Sequence, residues 1–171
     1  MDHYCIFTTT WGPFALAARG RRVLATYLPG PTASELAARV HTEWPRARRD
    51  DQLLGALQDA VRRYFAGEPV AFRFTLDPGH RTPFQNAVLS ACRRISYGRV
   101  RTYAELAVTA GSPRAARAVG SVMAHNPAPL LIPCHRVVAS DGGMGGFSGA
   151  GGVALKEALL DLEGARACTP A

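Results

Sequence analysis

The chain changes character at Asp77-Pro78-Gly79, and that break limits the possible folds more than any other feature. Before it, short apolar runs alternate with turn residues. Ile6-Phe7-Thr8-Thr9-Thr10 and Phe14-Ala15-Leu16-Ala17 flank Gly12-Pro13, and residues 23–28 follow Gly20, so the pattern predicts three strands. Residues 32–44 predict a helix, with Thr32 and Glu35 spaced as a capping box. Residues 51–65 place Leu53, Leu54, Leu57, Val61 and Phe65 at a helical period, and residues 70–76 alternate as a strand. After the break the signals are helical. Thr82-Pro83-Phe84-Gln85 combines an N-cap, a proline at the first helical position and a Gln able to close the box. That helix turns Phe84, Val88, Leu89, Cys92 and Ile95 inward and ends at Tyr97-Gly98. Thr102-Tyr103-Ala104-Glu105 opens a short helix ending near Gly111, and Ser112-Pro113 starts another that runs to about His125. A last helix over 153–163 sets Leu155, Leu159 and Leu162 on one face. The expected class is α/β (α+β). Residues 1–79 would form a small β-sheet with helices, and residues 80–171 a mostly helical domain containing a helix-turn-helix.

The charge is as uneven as the pattern. Twenty Lys and Arg outnumber 13 Asp and Glu, a net +7, yet residues 81–136 hold eight Arg against one acid, Glu105. Every other basic residue is Arg; the single Lys is Lys156. Such a block fits a polyanion partner, or a solvated basic face. Inside it, Arg114-Ala115-Ala116-Arg117-Ala118-Val119-Gly120-Ser121 is nearly all small side chains. They would let a backbone approach another surface closely, with Arg117 reaching further; tight helix packing is the other reading. Hydrophobic residues at 47% with 19% charged exclude a disordered tail protein. No apolar run approaches a membrane helix, and the start lacks a signal-peptide pattern, so a soluble, cytoplasmic protein is expected.

Cys5, Cys92, Cys134 and Cys168 lie far apart with no CxxC pair, which argues against a zinc ribbon or redox dithiol; no metal and no cofactor are expected. Cys134 differs from the rest because His135 and Arg136 follow it, within Pro133-Cys134-His135-Arg136-Val137-Val138. A nearby His or cationic field lowers a thiol's pKa and makes it a nucleophile. A His relaying protons needs an orienting acceptor, and Asp141, Glu157, Asp161 and Glu163 are the nearby acids. Seven glycines over 142–152 could close a pocket around a flat ligand. Gly149-Ala150-Gly151-Gly152-Val153-Ala154 fits GxGxxA, but too little chain follows for a dinucleotide fold.

With Ile132-Pro133-Cys134-His135-Arg136-Val137 in place, the chain resembles the O6-alkylguanine-DNA alkyltransferases, or methylated-DNA–protein-cysteine methyltransferases. The likeness runs from about Thr82 to Gly164. It takes in Pro83-Phe84-Gln85, Tyr97-Gly98, Thr102-Tyr103 with Leu106-Ala107, Ala115-Ala116-Arg117-Ala118-Val119-Gly120, Asn126-Pro127, and the terminal Lys156-Glu157, Leu160 and Glu163-Gly164. The resemblance implies one-shot repair: O6-alkylguanine is flipped out of duplex DNA and its alkyl group moves irreversibly to Cys134. His135 would pass on the thiol proton through a water, with Glu163 holding His135 in the useful tautomer. Asn126 would fix the turn before the active-site segment. Arg117 would fill the gap left by the base, Tyr103 would press on the 3′ phosphate, and Ala115, Ala116, Ala118 and Gly120 would line the minor groove. Pro129 would border the alkyl group, the Cys134 and Val137 carbonyls would read the guanine amino group, and Phe147 and Ser148 would close the pocket. The expected partner is double-stranded DNA carrying O6-alkylguanine, met by a monomer, with no membrane.

This sequence departs from the family where a loop Tyr is common. It reads Gly146-Phe147-Ser148-Gly149, so Ser148 or a backbone N–H would replace that hydroxyl. Leu89 and Ser96 stand where an aromatic and a Pro are common. Two other functions fit parts of the pattern: a non-catalytic alkyltransferase-like binder of damaged DNA, and a helix-turn-helix regulator. Cys134 argues against the first, and a recognition helix poor in base-reading side chains argues against the second.

Overall fold

The structure is a computed structural model, and it describes residues 1–147 and 151–165. It divides into two compact units, Met1–Pro78 and Gly79–Ala171.

The first unit is built on an antiparallel meander of β1 (Asp2–Thr9), β2 (Gly12–Arg19) and β3 (Arg22–Tyr27). Two short strands, β4 (Arg48–Arg49) and β5 (Thr75–Leu76), add in parallel at the edges, giving the order β4-β1-β2-β3-β5. β2 is buried from Phe14 to Ala18 because a helix covers each face of the sheet. Against one face, Leu36 and Val40 of α1 (Ala33–Glu43) pack with Ala15, Ala17, Leu24 and Tyr27. On the other, Phe65 of α2 (Gly55–Phe65) meets the Phe14 ring at 6.2 Å.

Two spans differ from the sequence-based reading. The helix expected over 51–65 begins only at Gly55, because Leu54 takes a left-handed φ of 50° at its start. Of the strand expected over 70–76, only Thr75–Leu76 pairs, since alternation without a partner strand makes no ladder.

The second unit holds α3 (Pro83–Arg93), β6 (Arg101–Thr102), α4 (Tyr103–Thr109), α5 (Ala116–Ala124), a 3-10 turn (Cys134–Arg136), β7 (Val137–Val138) and α6 (Gly152–Leu162). β6 and β7 pair in parallel, Arg101 beside Val137 and Thr102 beside Val138. Capping boxes open α3 at Thr82/Gln85 and α4 at Thr102/Glu105, as Thr32/Glu35 opens α1. α3 stops at Arg93, short of Tyr97-Gly98. α5 starts at Ala116, three residues beyond the expected Pro113, because the end of α4 claims that stretch. Gly111 takes φ 79°, and the N–H groups of Gly111 and Ser112 bond back to the carbonyls of Val108 and Ala107. The buried residues of α6 are Lys156, Leu159 and Leu160, so a charged side chain shares the inward face with leucines. No described helix is long and apolar enough to cross a membrane.

Candidate active site

Cys134, His135 and Arg136 make up the 3-10 turn, and all three are buried. The segment before them is shaped by Asn126. Its amide donates to Ile132 O at 2.8 Å, and its oxygen accepts from Ala128 N at 3.0 Å. Within that turn Leu130 holds φ 75°, a conformation costing about 1–2 kcal/mol in a residue with a Cβ. Burial of Leu130, Leu131 and Ile132 and the two Asn126 bonds offset it.

α6 supplies the acid. Glu163 is its C-cap, and Gly164 follows at φ 62°. The N–H groups of Gly164 and Ala165 close on the carbonyls of Asp161 and Leu160, which fixes the backbone at Glu163. The buried carboxylate accepts from His135 Nε2 at 2.7 Å, from Arg136 Nε and Nη2 at 2.9 Å each, and from Gly98 N at 3.0 Å. Arg136 also donates to Ile95 O at 2.6 Å and sits 5.8 Å from the Tyr97 ring centre. Burial alone would raise Glu163, but the His135 and Arg136 hydrogen bonds outweigh it and hold the carboxyl at about 2. Burial pulls His135 below its ordinary value, against the pull of Glu163, so the ring is neutral and donates from Nε2.

The thiol itself differs from the expectation drawn from its neighbours in sequence. Burial pushes Cys134 above the ordinary thiol value; the Asn126 side chain, the Lys156 charge and two backbone N–H groups pull back without cancelling it. His135 turns to Glu163, and the positive charge that lowers the thiol is that of Lys156.

Cys134 opens onto a cavity of about 630 Å³, within the usual range for a small-ligand site. Tyr103 and Ala104 of α4, Arg117 and Gly120 of α5, and Gly146 and Phe147 of the glycine-rich loop line it.

Two family descriptions cover nearly the whole chain. "6-O-methylguanine DNA methyltransferase, ribonuclease-like domain" matches residues 3–78, and the "DNA binding domain" of the same name matches residues 83–165. The chain belongs to the 6-O-methylguanine DNA methyltransferase family. Among similar proteins, the methylated-DNA–protein-cysteine methyltransferase of Mycobacterium tuberculosis (strain H37Rv) is 37% identical, covering 98% of this chain and 95% of its own. The constitutive form from Bacillus subtilis is 32% identical, covering 95% and 96%. A crystal structure of the M. tuberculosis protein in complex with DNA superposes with TM-score 0.80 at 35% identity, covering 96% and 94%. The methyltransferase of Pyrococcus kodakaraensis gives TM-score 0.67 at 25% identity, covering 96% and 99%.

Within this methyltransferase chain, the fold brings Cys134, His135, Glu163 and Asn126 into one cluster. Tyr103, Ala116, Arg117, Gly120 and Phe147 share the cavity wall with Cys134. Ala115, Ala118, Pro129 and Val137 are not among its lining residues: Ala115 caps α5, Ala118 faces solvent, and Pro129 bridges to Ile132. The Val137 carbonyl accepts from Lys156 Nζ at 2.5 Å and keeps a second lone pair. Ser148 lies outside the described residues, as does Cys168. Arg136, Gly98 and Lys156 lie in the motifs that carry the resemblance, but their roles escaped sequence reasoning: Arg136 and Gly98 share Glu163, and Lys156 holds the Val137 carbonyl.

Proposed function

We propose that this chain repairs DNA by direct reversal, taking the alkyl group of O6-alkylguanine onto its own Cys134 in one irreversible step. The observation that carries the proposal is Cys134 at the wall of a cavity also bounded by α5, in the same buried turn as His135, which bonds to Glu163 at 2.7 Å. Nε2 bonds to Glu163, so the thiol proton would pass to Nδ1 through a water. The sulfur then forms a bond to the alkyl carbon as the carbon–O6 bond breaks. Guanine leaves with the proton the thiol gave up. A thioether has no route back, so each chain acts once.

The DNA-facing roles follow the same logic. α5 would enter the minor groove with Ala115, Ala116, Ala118 and Gly120 as its low surface, while Arg117 fills the space of the flipped base. Tyr103 would meet the phosphate 3′ of the lesion. Phe147 would close over the base, Pro129 would border the alkyl group, and the Cys134 and Val137 carbonyls would accept from the guanine amino group. The chain would act as a monomer in the cytoplasm.

The decisive experiment incubates the protein with a duplex containing O6-methylguanine and maps the product peptides by mass spectrometry. One methyl on Cys134 per chain and no second turnover are expected. Methyl on another cysteine, or none, overturns the proposal. Cys134→Ala should abolish transfer and keep DNA binding. Arg117→Ala should slow repair, and an unchanged rate would refute its role in flipping.

A further inference from the structure

Lys156 is the chain's one lysine, and it is 0% exposed. A buried ammonium needs partners, and its partners say what it holds together. Nζ donates to Val137 O at 2.5 Å and to Met144 O. The first carbonyl belongs to β7; the second belongs to the glycine-rich loop whose residues Gly146 and Phe147 wall the cavity. The same ammonium sits 5.8 Å from the centre of the Tyr103 ring, a cation–π distance. Gly145 lies so close to that ring that a Cβ there would come within 2.6 Å of the Tyr103 hydroxyl oxygen. One side chain thus ties together a strand, a loop and the first residue of α4. The ionisable groups facing it are Cys92 of α3, Tyr103 of α4, and Cys134 and His135 of the 3-10 turn. A compact ammonium on a flexible stem suits a site between two carbonyls.

We propose that Lys156 is a positioning residue for alkyl transfer: it staples the glycine-rich loop to β7 and keeps a positive charge beside the Cys134 sulfur. This rests on Cys134 being the alkyl acceptor. Lys156 acts through the thiol and the pocket wall, without touching the reacting base. Burial brings its ammonium from 10.5 down to about 8, so it is charged at neutral pH and loses that charge as pH rises through about 8. The charge lowers the Cys134 thiol, against the larger effect of burial.

The test reads the thiol without DNA. Iodoacetamide alkylation of Cys134, followed through the mass of its peptide, is measured between about pH 6 and about pH 10 for the wild type, Lys156→Met and Lys156→Arg. Lys156→Met should slow the reaction about tenfold at about pH 7, where Lys156 is charged, and by much less above about pH 9, where the wild type has lost that charge. Lys156→Arg should recover much of that rate. A folded Lys156→Met that reacts at the wild-type rate at neutral pH overturns the proposal. If that variant does not fold, the wild type decides. With one lysine in the sequence, a tag-free chain labelled at lysine 13Cε gives one resonance. A titration near 8 that moves when Cys134 is alkylated supports the proposal; a midpoint near 10.5, or indifference to alkylation, overturns it. Failure of the wild type to take methyl from O6-methylguanine DNA would strike the repair reading, whereas an unchanged thiol rate at neutral pH in Lys156→Met strikes the lysine.

Discussion

Removing Arg136 would take the guanidinium away from the buried Glu163 carboxylate, which would keep its bonds from His135 and Gly98. Breaking a buried pair from one side costs about 3–5 kcal/mol, so Arg136→Leu should lower the stability read by urea unfolding by that order. A loss under about 1 kcal/mol would mean that Glu163 is solvated on its own. The same cluster sets the acid limb. Glu163 is held at about 2 against an ordinary 4.5, so its contribution is complete above about 4.5 and is lost as pH falls toward 2. His135 is buried neutral with a lowered pKa, so unfolding is favoured as pH falls below its ordinary 6.5. The melting temperature should therefore fall in two stages from about pH 6.5 downward, and Glu163→Gln should flatten the lower one. At this scale the sequence offered Cys134 and His135 as candidates because they are adjacent, and Glu163 through the resemblance. Glu163 then draws in Arg136 and Gly98 across 27 and 65 residues, contacts that no local pattern encodes.

Helix starts were legible because capping is a local event: a Thr and a Glu or Gln three residues later announce themselves at Thr32, Thr82 and Thr102. The start of α5 was misplaced because the return of Gly111 and Ser112 onto α4 competes with the proline signal. α5 also offers a test in which folding and binding part company. Gly120 lies inside the helix, and a Cβ there would have nothing within 4 Å. Gly120→Ala should add about 0.5–1 kcal/mol of stability by removing backbone entropy from the unfolded chain. The methyl group would nonetheless stand on the surface proposed to press into the minor groove. Affinity for duplex DNA, read by fluorescence anisotropy, should fall even as the protein becomes more stable. Tighter or equal binding would take Gly120 off that surface.

For the whole molecule, the arginine surplus over 81–136 makes an electrostatic forecast. Affinity for undamaged duplex should drop steeply with salt, each neutralised phosphate adding about 0.9 to the log–log slope. A slope near zero between low and physiological salt would rule out backbone binding by that block. The two compact units part at Pro78, where the sequence pattern changes; the sheet order could not be anticipated, because β4 and β5 are two residues each and are made strands only by their neighbours. The burial of Cys134 bears on how long such a protein lasts. A reagent that is consumed in use loses one molecule to every stray electrophile it meets. Cys134 is 5% exposed, and its raised pKa keeps it mostly protonated, so soluble electrophiles find a covered and sluggish sulfur. For the proposed acceptor, the low reactivity of the resting thiol would be a form of storage: the protein would keep its single dose until a base delivered into the cavity brings the alkyl carbon to it.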